Sequence, residues 1–435
     1  MAEECPRNAQ DAGDQPGLAE IAGLALTVGR MLLEWGANAR TVHEAIGQVA
    51  AGLGCDSAQA FCQHAAIIVV VARKGESLTR MGRVGEHGVD LRRAQNLQGV
   101  VRRIGRGELT CAAARAEVER VPASTARYPV WFVCLATGLA CSAFGRLFKS
   151  DWLAFLPTLV GASLGQYVRH TLVRHRRNLF LTAGVVSFLS ATVAGFGARF
   201  SGCVNLPLAM VAAVLLLIPG IPVLNAQIDI IEGKPNLAAA RGLRITFLLL
   251  FMAFGLALAQ VFVMPGSPGS LPSSPLAPDP VNLRLILHQA LFGAIAAAGF
   301  GILFNTPPRL LGLCFASGAL ALATRTLCES RGLGLPLSSF VAALLLATAD
   351  RAWHRAQSPQ GSVIAVVGCI AMVPGSLAAR TLIGLFALIH ARPETSVVPL
   401  VATLEGLIIV TFTLIAIGIG LIIPTLVYPV PPGED

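Results

Sequence analysis

The side chains best equipped for chemistry in this 435-residue chain stand inside its most apolar stretches. "LLLIPGIPVLNAQIDIIEGK", residues 215 to 234, starts as a greasy helix and then meets Pro219, Gly220 and Pro222, followed by Asn225, Gln227 and Asp229. A second passage, "VPGSLAAR" at 373 to 380, sets Ser376 and Arg380 behind Pro374 and Gly375. Proline removes a backbone donor and crowds the preceding turn, so both helices should break or kink here. A break exposes N–H groups at a half-helix N-terminus, where a carboxylate can be held without a full charge partner. Arg380 carries a charge that is fixed at every physiological pH, which suits it to holding an anion and not to carrying a proton. Asp229 and, in the last apolar run, Glu405 can titrate, so they are the candidates for proton coupling. Plain proline kinks resatisfied by neighbouring helices, and snorkelling of Arg380 to an interface, are the competing readings.

Composition sets the medium in which those residues work. At 54% hydrophobic and 13% charged, with a mean hydropathy of +0.67, the chain lies far outside the soluble globular range and reads as a polytopic membrane protein. The formal charge of +9 falls mostly on the loops between apolar runs, which points to membrane topology and anionic lipid, not to nucleic acid. Ten cysteines show no C-x-x-C spacing and read as reduced packing residues. No P-loop, dinucleotide fingerprint or metal motif is present in the sequence, so no cofactor, metal or ATP drive is expected.

The elements that must position the breaks follow from periodicity. Residues 1 to 17 are polar and acidic, without the apolar core of a signal peptide. From 18 to 127 the pattern predicts two helices, three short strands and two more helices, a small α/β domain expected on the cytoplasmic side, with His43, His64 and His87 as surface or core filler. From Pro129 onward about ten apolar spans are expected. They lie near 129–148, 152–168, 178–198, 206–226, 243–264, 283–304, 309–327, 333–349, 362–389 and 399–427. Loops holding Arg169, Arg174, Arg176, Arg177 and Arg241 would face the cytoplasm, and they outweigh the opposite loops with Arg146, Lys149 and Arg325. Asn205, Asn305 and Asp350 fall at span ends, where capping or loop roles are expected.

An internal repeat organises these spans. "AFGRLF" at 143–148 returns as "GFGILF" at 299–304, "LIPG" at 217–220 as "MVPG" at 372–375, and "LSAT" at 189–192 as "LLAT" at 345–348, all at an offset of about 155 residues. Five spans per copy turn the second copy upside down relative to the first. The expected fold is therefore an all-α polytopic membrane domain of about ten transmembrane helices, two inverted five-helix repeats, preceded by the cytoplasmic α/β domain. The expected boundaries are a tail at 1–17, the α/β domain at 18–127, repeats at 128–264 and 282–428, a Pro/Ser linker at 265–281 and a tail at 429–435. Paired broken helices in corresponding positions point to a substrate site at the repeat interface.

Two further patterns bear on function. "GASLG" at 161–165 matches the G-x-S-x-G nucleophile signature of a serine hydrolase, but it lies within an apolar helix, where such small residues commonly let helices approach. The stretch "MLLEWGANARTVHEAIGQVAAGLG", with "PGIPVLNAQIDIIEG" further on, resembles the threonine/serine exporter family, and "GFGILF" with "VPGSLAARTLIGL" resembles the partner module that some bacteria encode separately. The resemblance covers about residues 18 to 427, nearly the whole chain. It implies that Pro219, Gly220, Asn225 and Asp229, with Pro374, Gly375 and Arg380, are marked positions. It also implies a proton-coupled exporter of threonine and serine in a bacterial inner membrane, with a dicarboxylate as the alternative substrate and homo-oligomerisation left open. Ile228 and Ala379 depart from the family pattern, at positions where a polar and an aromatic residue are usual.

Overall fold

The computed structural model describes residues 16–265, 282–357, 363–375, 377, 378, 381, 384 and 397–427. The chain divides into two compact units, one holding residues up to Gly88 together with Arg93–Thr125, the other holding Val89–Arg92 and everything from Ala126 onward.

In the first unit, α1 (Leu18–Glu34) and α2 (Ala39–Gly52) precede β1 (Ser57–Cys62), β2 (Ala66–Arg73) and β3 (Glu76–Arg83). The strands form an antiparallel sheet in sequence order, with Val69 opposite both Ala60 and Arg80. Alternation along β2 turns Ile67, Val69 and Val71 inward, where they join Ile21, Val28 and Leu32 of α1 and Ile46 and Val49 of α2 in one apolar core. Lys74 and Gly75 both take positive φ, 52° and 83°, which matches the right-handed twist of the β2–β3 hairpin. The Asn38 side chain accepts from Thr41 N at 2.9 Å and caps α2. His64 and His87, read from sequence as filler, are stacked with ring centroids 4.2 Å apart. His87 also lies 2.6 Å from His64 O and 3.2 Å from Leu33 O. Two helices follow, α3 (Leu91–Gly105), which begins at the edge of the second unit, and α4 (Cys111–Ser124).

The second unit is helical throughout its described residues. Its elements are α5 (Val130–Leu147), α6 (Phe155–Arg174), α7 (Leu179–Phe200), α8 (Leu206–Val214), α9 (Gly220–Ile231) and α10 (Pro235–Val263). They continue with α11 (Leu283–Leu303), α12 (Pro308–Ser330), α13 (Leu335–Gln357), α14 (Val363–Ile370) and α15 (Val397–Val427). Seven of these, α5, α7, α10, α11, α12, α13 and α15, are long and apolar enough to cross a membrane. The chain is thus a multi-pass helical membrane protein. Arg169, His170 and Arg174 lower the hydropathy of α6, and the fourth expected span is divided into α8 and α9. The span expected at 362–389 begins as α14 and then runs into residues outside the described set.

Burial in this unit is the reverse of a soluble protein's. Its core is rich in small side chains such as Ala140, Ala143, Ala162, Ala191 and Ala296, while Phe247, Phe254 and Phe262 of α10 and Leu404, Ile408 and Phe412 of α15 are exposed. Lipid supplies no hydrophobic drive between helices, so they gain by close approach at small residues. A Cβ on Gly161 would stand 2.6 Å from Ser190 O of α7, and Ser163 Oγ donates to Cys134 O of α5 at 3.0 Å. The "GASLG" stretch is accordingly part of the α5–α6–α7 packing.

Candidate functional site

The site is built from two helix breaks with matching backbones. In the first half, Leu215–Leu217 tighten into a 3₁₀ turn after α8, and Pro219, at φ −80° and ψ 68°, sits at the centre of an inverse γ-turn before α9 starts. Gly220 N donates to Ile218 O at 2.9 Å, Ile218 N to Leu215 O at 3.1 Å, and Val223 N to Pro219 O at 3.0 Å. In the second half, Gly375 N donates to Val373 O at 2.7 Å, Val373 N to Ile370 O at 3.1 Å, and Ala378 N to Pro374 O at 2.9 Å. Each bond has its counterpart about 155 residues on. These local turns resatisfy backbone groups that proline removes from the helical ladder, which is a condition for breaking a helix inside lipid.

The two phenylalanine motifs end their helices in matching fashion as well. Phe144 and Phe148 close α5 with ring centroids 5.9 Å apart and an interplanar angle of 30°, and Phe300 and Phe304 close α11 at 6.1 Å and 32°. The chain then turns through Lys149 (φ 61°) in one copy and Asn305 (φ 55°) in the other. Asn305 Nδ2 donates to Asp90 Oδ1 at 2.9 Å, so this residue has the loop role its place at a span end suggested.

Breaks and phenylalanines line one narrow, partly open cavity of about 20 Å³, bounded by Phe144, Phe148, Leu215, Ile218, Gly220, Phe300, Ile370, Val373 and Gly375. Repeat-related residues face one another across it. The rings of Phe144 and Phe300 meet edge to face at 5.7 Å. A Cβ on Gly220 would lie 3.1 Å from Ile370 Cγ2, and one on Gly375 would lie 3.3 Å from Leu215 Cδ2 and 2.6 Å from Ile218 Cδ1. Each glycine therefore gives room to a branched side chain of the opposite break. The lining is apolar, and its polar groups are the main chain at the breaks and the N-terminal end of α9, whose helix dipole is positive there.

Of the residues singled out from sequence, Gly220 and Gly375 line the cavity directly, beside Pro219 and Pro374 at the turn centres. Asn225 and Asp229 share the buried face of α9, one and two turns further along, and do not line the cavity. Gln227 points another way, toward α15, where its Oε1 is buried without a hydrogen-bond partner among the described residues and would stand 2.6 Å from a Cβ on Gly418. Glu405 is exposed on α15. Ser376 and Arg380 lie outside the described residues.

Three structural features near the breaks were not apparent from the sequence. Arg241, read as a loop cation, is buried in α10, where its Nη1 donates to Asp229 Oδ2 at 2.5 Å. The signal was an acid and a base flanking the short turn Glu232–Lys234. Arg325, also read as a loop cation, lies in α12 and donates from Nη1 to Met372 O at 3.4 Å, at the second break. Phe144, Phe148 and Phe300 were visible as repeat markers but not as cavity walls. Among the described residues there is no cluster of potential metal ligands, and the nine described cysteines are all free.

Comparisons with known proteins match both halves. The family model "Putative threonine/serine exporter" matches residues 23–263, and "Threonine/Serine exporter, ThrE" matches residues 289–427. The "Probable succinate transporter subunit YjjP" of Klebsiella aerogenes is 26% identical over 241 residues, covering 55% of this chain and 93% of the relative. The protein of the same name from Escherichia coli K12 is 26% identical over 240 residues with the same coverage. No solved structure matches.

Proposed function

The chain belongs to the threonine/serine exporter family, and from that premise we propose that it is a secondary transporter exporting small carboxylate-bearing metabolites, threonine and serine first among them. Export would run across a bacterial inner membrane, with the first unit on the cytoplasmic side and the proton gradient as drive. The observation that carries the reading is the meeting of two matched helix breaks around one cavity. Broken helices in corresponding positions are where secondary transporters place substrate. In this reading Pro219, Gly220, Pro374 and Gly375 present main-chain donors to a carboxylate, and Arg380 adds a fixed charge beside Ser376. Asn225 or Asp229, on the buried face of α9, would handle the ammonium or hydroxyl, and Asp229 and Glu405 are the candidate proton carriers. Proton carriage by Asp229 requires its pair with Arg241 to open during the cycle. Among its described residues the first unit carries no recognisable catalytic constellation, and it is assigned a regulatory or assembly role.

A second substrate, a dicarboxylate, is favoured by one specific observation. Asp229 already faces Arg241, so the carboxylate best suited to an ammonium group is engaged within the protein. The name of the two relatives, "Probable succinate transporter subunit YjjP", agrees with that alternative. The deciding experiment is efflux from preloaded proteoliposomes under an imposed proton gradient, with threonine, serine and succinate compared. Acceleration of threonine and serine efflux supports the first reading, and acceleration of succinate alone supports the second. No efflux of any of the three would overturn both.

A further inference from the structure

One helix from each half, α5 and α11, run antiparallel against each other. At one end Tyr128, just before α5, donates to Thr306 O, just after α11, at 2.8 Å. At the other end the Trp152 ring, just past α5, meets that of Phe292 on α11 at 5.9 Å. That second end gathers cations. Arg146, in the last turn of α5, holds its guanidinium carbon 4.3 Å from the Trp152 ring centre, a cation–π contact. On α11 the His288 ring lies 4.6 Å from that of Phe292, and the charges acting on His288 are Arg146 and Arg284. Arg146 donates from Nη1 to Ser150 O, while its Nε is buried without a hydrogen bond among the described residues. The acid acting on Arg146 is Asp151, whose Oδ2 accepts from Val204 N at 3.1 Å and Asn205 N at 3.4 Å, so its charge is shared with the start of α8. Arg284, Leu287, His288 and Leu291 follow one another on a single stripe of α11, with Leu287 59% and Leu291 51% exposed. The cation thus stands at the helix start and the exposed apolar side chains one and two turns further in, the order in which a phospholipid carries its head and its chains.

We infer that Arg146, Arg284 and His288 bind the phosphate of an anionic phospholipid, with its acyl chains along Leu287 and Leu291. A guanidinium grips phosphate through two parallel hydrogen bonds, and its charge persists at every physiological pH. Arg146 has donors to spare after Ser150 O, and His288 offers a ring N–H in either tautomer. A phosphate between Arg146 and Arg284 ties α5 to α11, the helices whose Phe144 and Phe300 meet across the cavity, and so joins the two halves. The assignment does not depend on what is transported.

The test uses the full chain purified in a neutral detergent. Phosphatidylglycerol and phosphatidylcholine with the same acyl chains are the probes, and bound lipid is counted by native mass spectrometry. The parent should bind phosphatidylglycerol at least about tenfold more tightly, and Arg146→Gln should remove most of that preference, as expected for loss of a charge-assisted contact. Arg284→Gln should weaken phosphatidylglycerol binding about fivefold, the weight of one basic residue at an anionic surface. Arg284 is exposed in the first turn of α11, so this arm decides the matter if Arg146→Gln does not purify as folded protein. Equal binding of the two lipids by the parent, or an unchanged preference in either folded variant, would overturn the inference. Inorganic phosphate is the third probe. Binding weaker than the lipid's supports a site that uses the chains, and binding as tight as the lipid's would show a simple anion site and overturn the lipid assignment.

Discussion

Asp229 Oδ2 and Arg241 Nη1 stand 2.5 Å apart with side chains 0% and 7% exposed, the carboxylate on the last turn of α9 and the guanidinium two turns into α10. Two charges taken together out of water leave little net stability, but removing one strands the other. Asp229→Asn or Arg241→Gln alone should each cost about 3–5 kcal/mol. The double variant should recover part of that loss. Thermal unfolding in detergent across the four-member cycle checks this, and additive losses would show that the two residues act independently.

The same pair bears on coupling. Under the proposed mechanism Asp229→Asn spares exchange of substrate, which needs no net proton movement, more than it spares gradient-driven export. Arg380→Ala should weaken substrate affinity instead. Both are read in proteoliposomes with and without a pH gradient. Normal export by the Asp229 variant, still responsive to the gradient, would move the coupling role to Glu405 or away from both.

Across the cavity, the crowding is specific enough to be relieved by design. A methyl added at Gly375 would stand 2.6 Å from Ile218 Cδ1. Gly375→Ala should therefore cost about 1–3 kcal/mol of stability, the usual range for overpacking, and should slow transport. Ile218→Val deletes the colliding carbon and should restore most of the loss in the double variant. Gly220→Ala, whose methyl would meet Ile370 at 3.1 Å, should be milder. Equal defects in the two alanine variants, or no rescue by Ile218→Val, would contradict this packing.

Two thiols of the first unit give a pH readout. Burial pushes the Cys55 thiol up from its ordinary value, with nearby Arg73 opposing and Asp56 adding, and burial with Glu20 nearby does the same for Cys111. A raised value leaves less thiolate at any given pH, and the thiolate is the nucleophile. Alkylation by iodoacetamide should be slower at both positions than for a free cysteine peptide at pH 8. The rates should still be climbing at higher pH, after the peptide has levelled off. Site-resolved mass spectrometry of folded protein would follow it, and peptide-like rates would show that the thiols are accessible.

Where local chemistry decides structure, the fold was legible in the sequence. The interruption at Pro219 was legible because a residue without an N–H cannot extend the helical ladder. The register of the two halves was legible because "LIPG" and "MVPG" keep their spacing from "AFGRLF" and "GFGILF". Burial was the harder part. A cation written near a turn looks the same whether it faces water or an acid, so Arg241 and Arg325 passed as loop charges until the helices placed them. The polar residues after Pro219 were grouped by proximity along the chain. The helical period instead sends Asn225 and Asp229 to one buried face and Gln227 to another.

The reciprocal fit of the two breaks also constrains how such a protein can be made. Leu215 and Ile218 belong to the first half, Ile370 and Gly375 to the second, so neither half alone contains the cavity. The relatives named as subunits correspond to a little over half of this chain. A half encoded as a separate polypeptide would have to find its counterpart by diffusion in the bilayer, and its occupancy would fall with expression level. Tethering the halves through a short connector turns that encounter into an intramolecular one, at an effective concentration on the order of millimolar. In this chain the proportion of the two halves is fixed at synthesis, and dilution in the membrane cannot separate them.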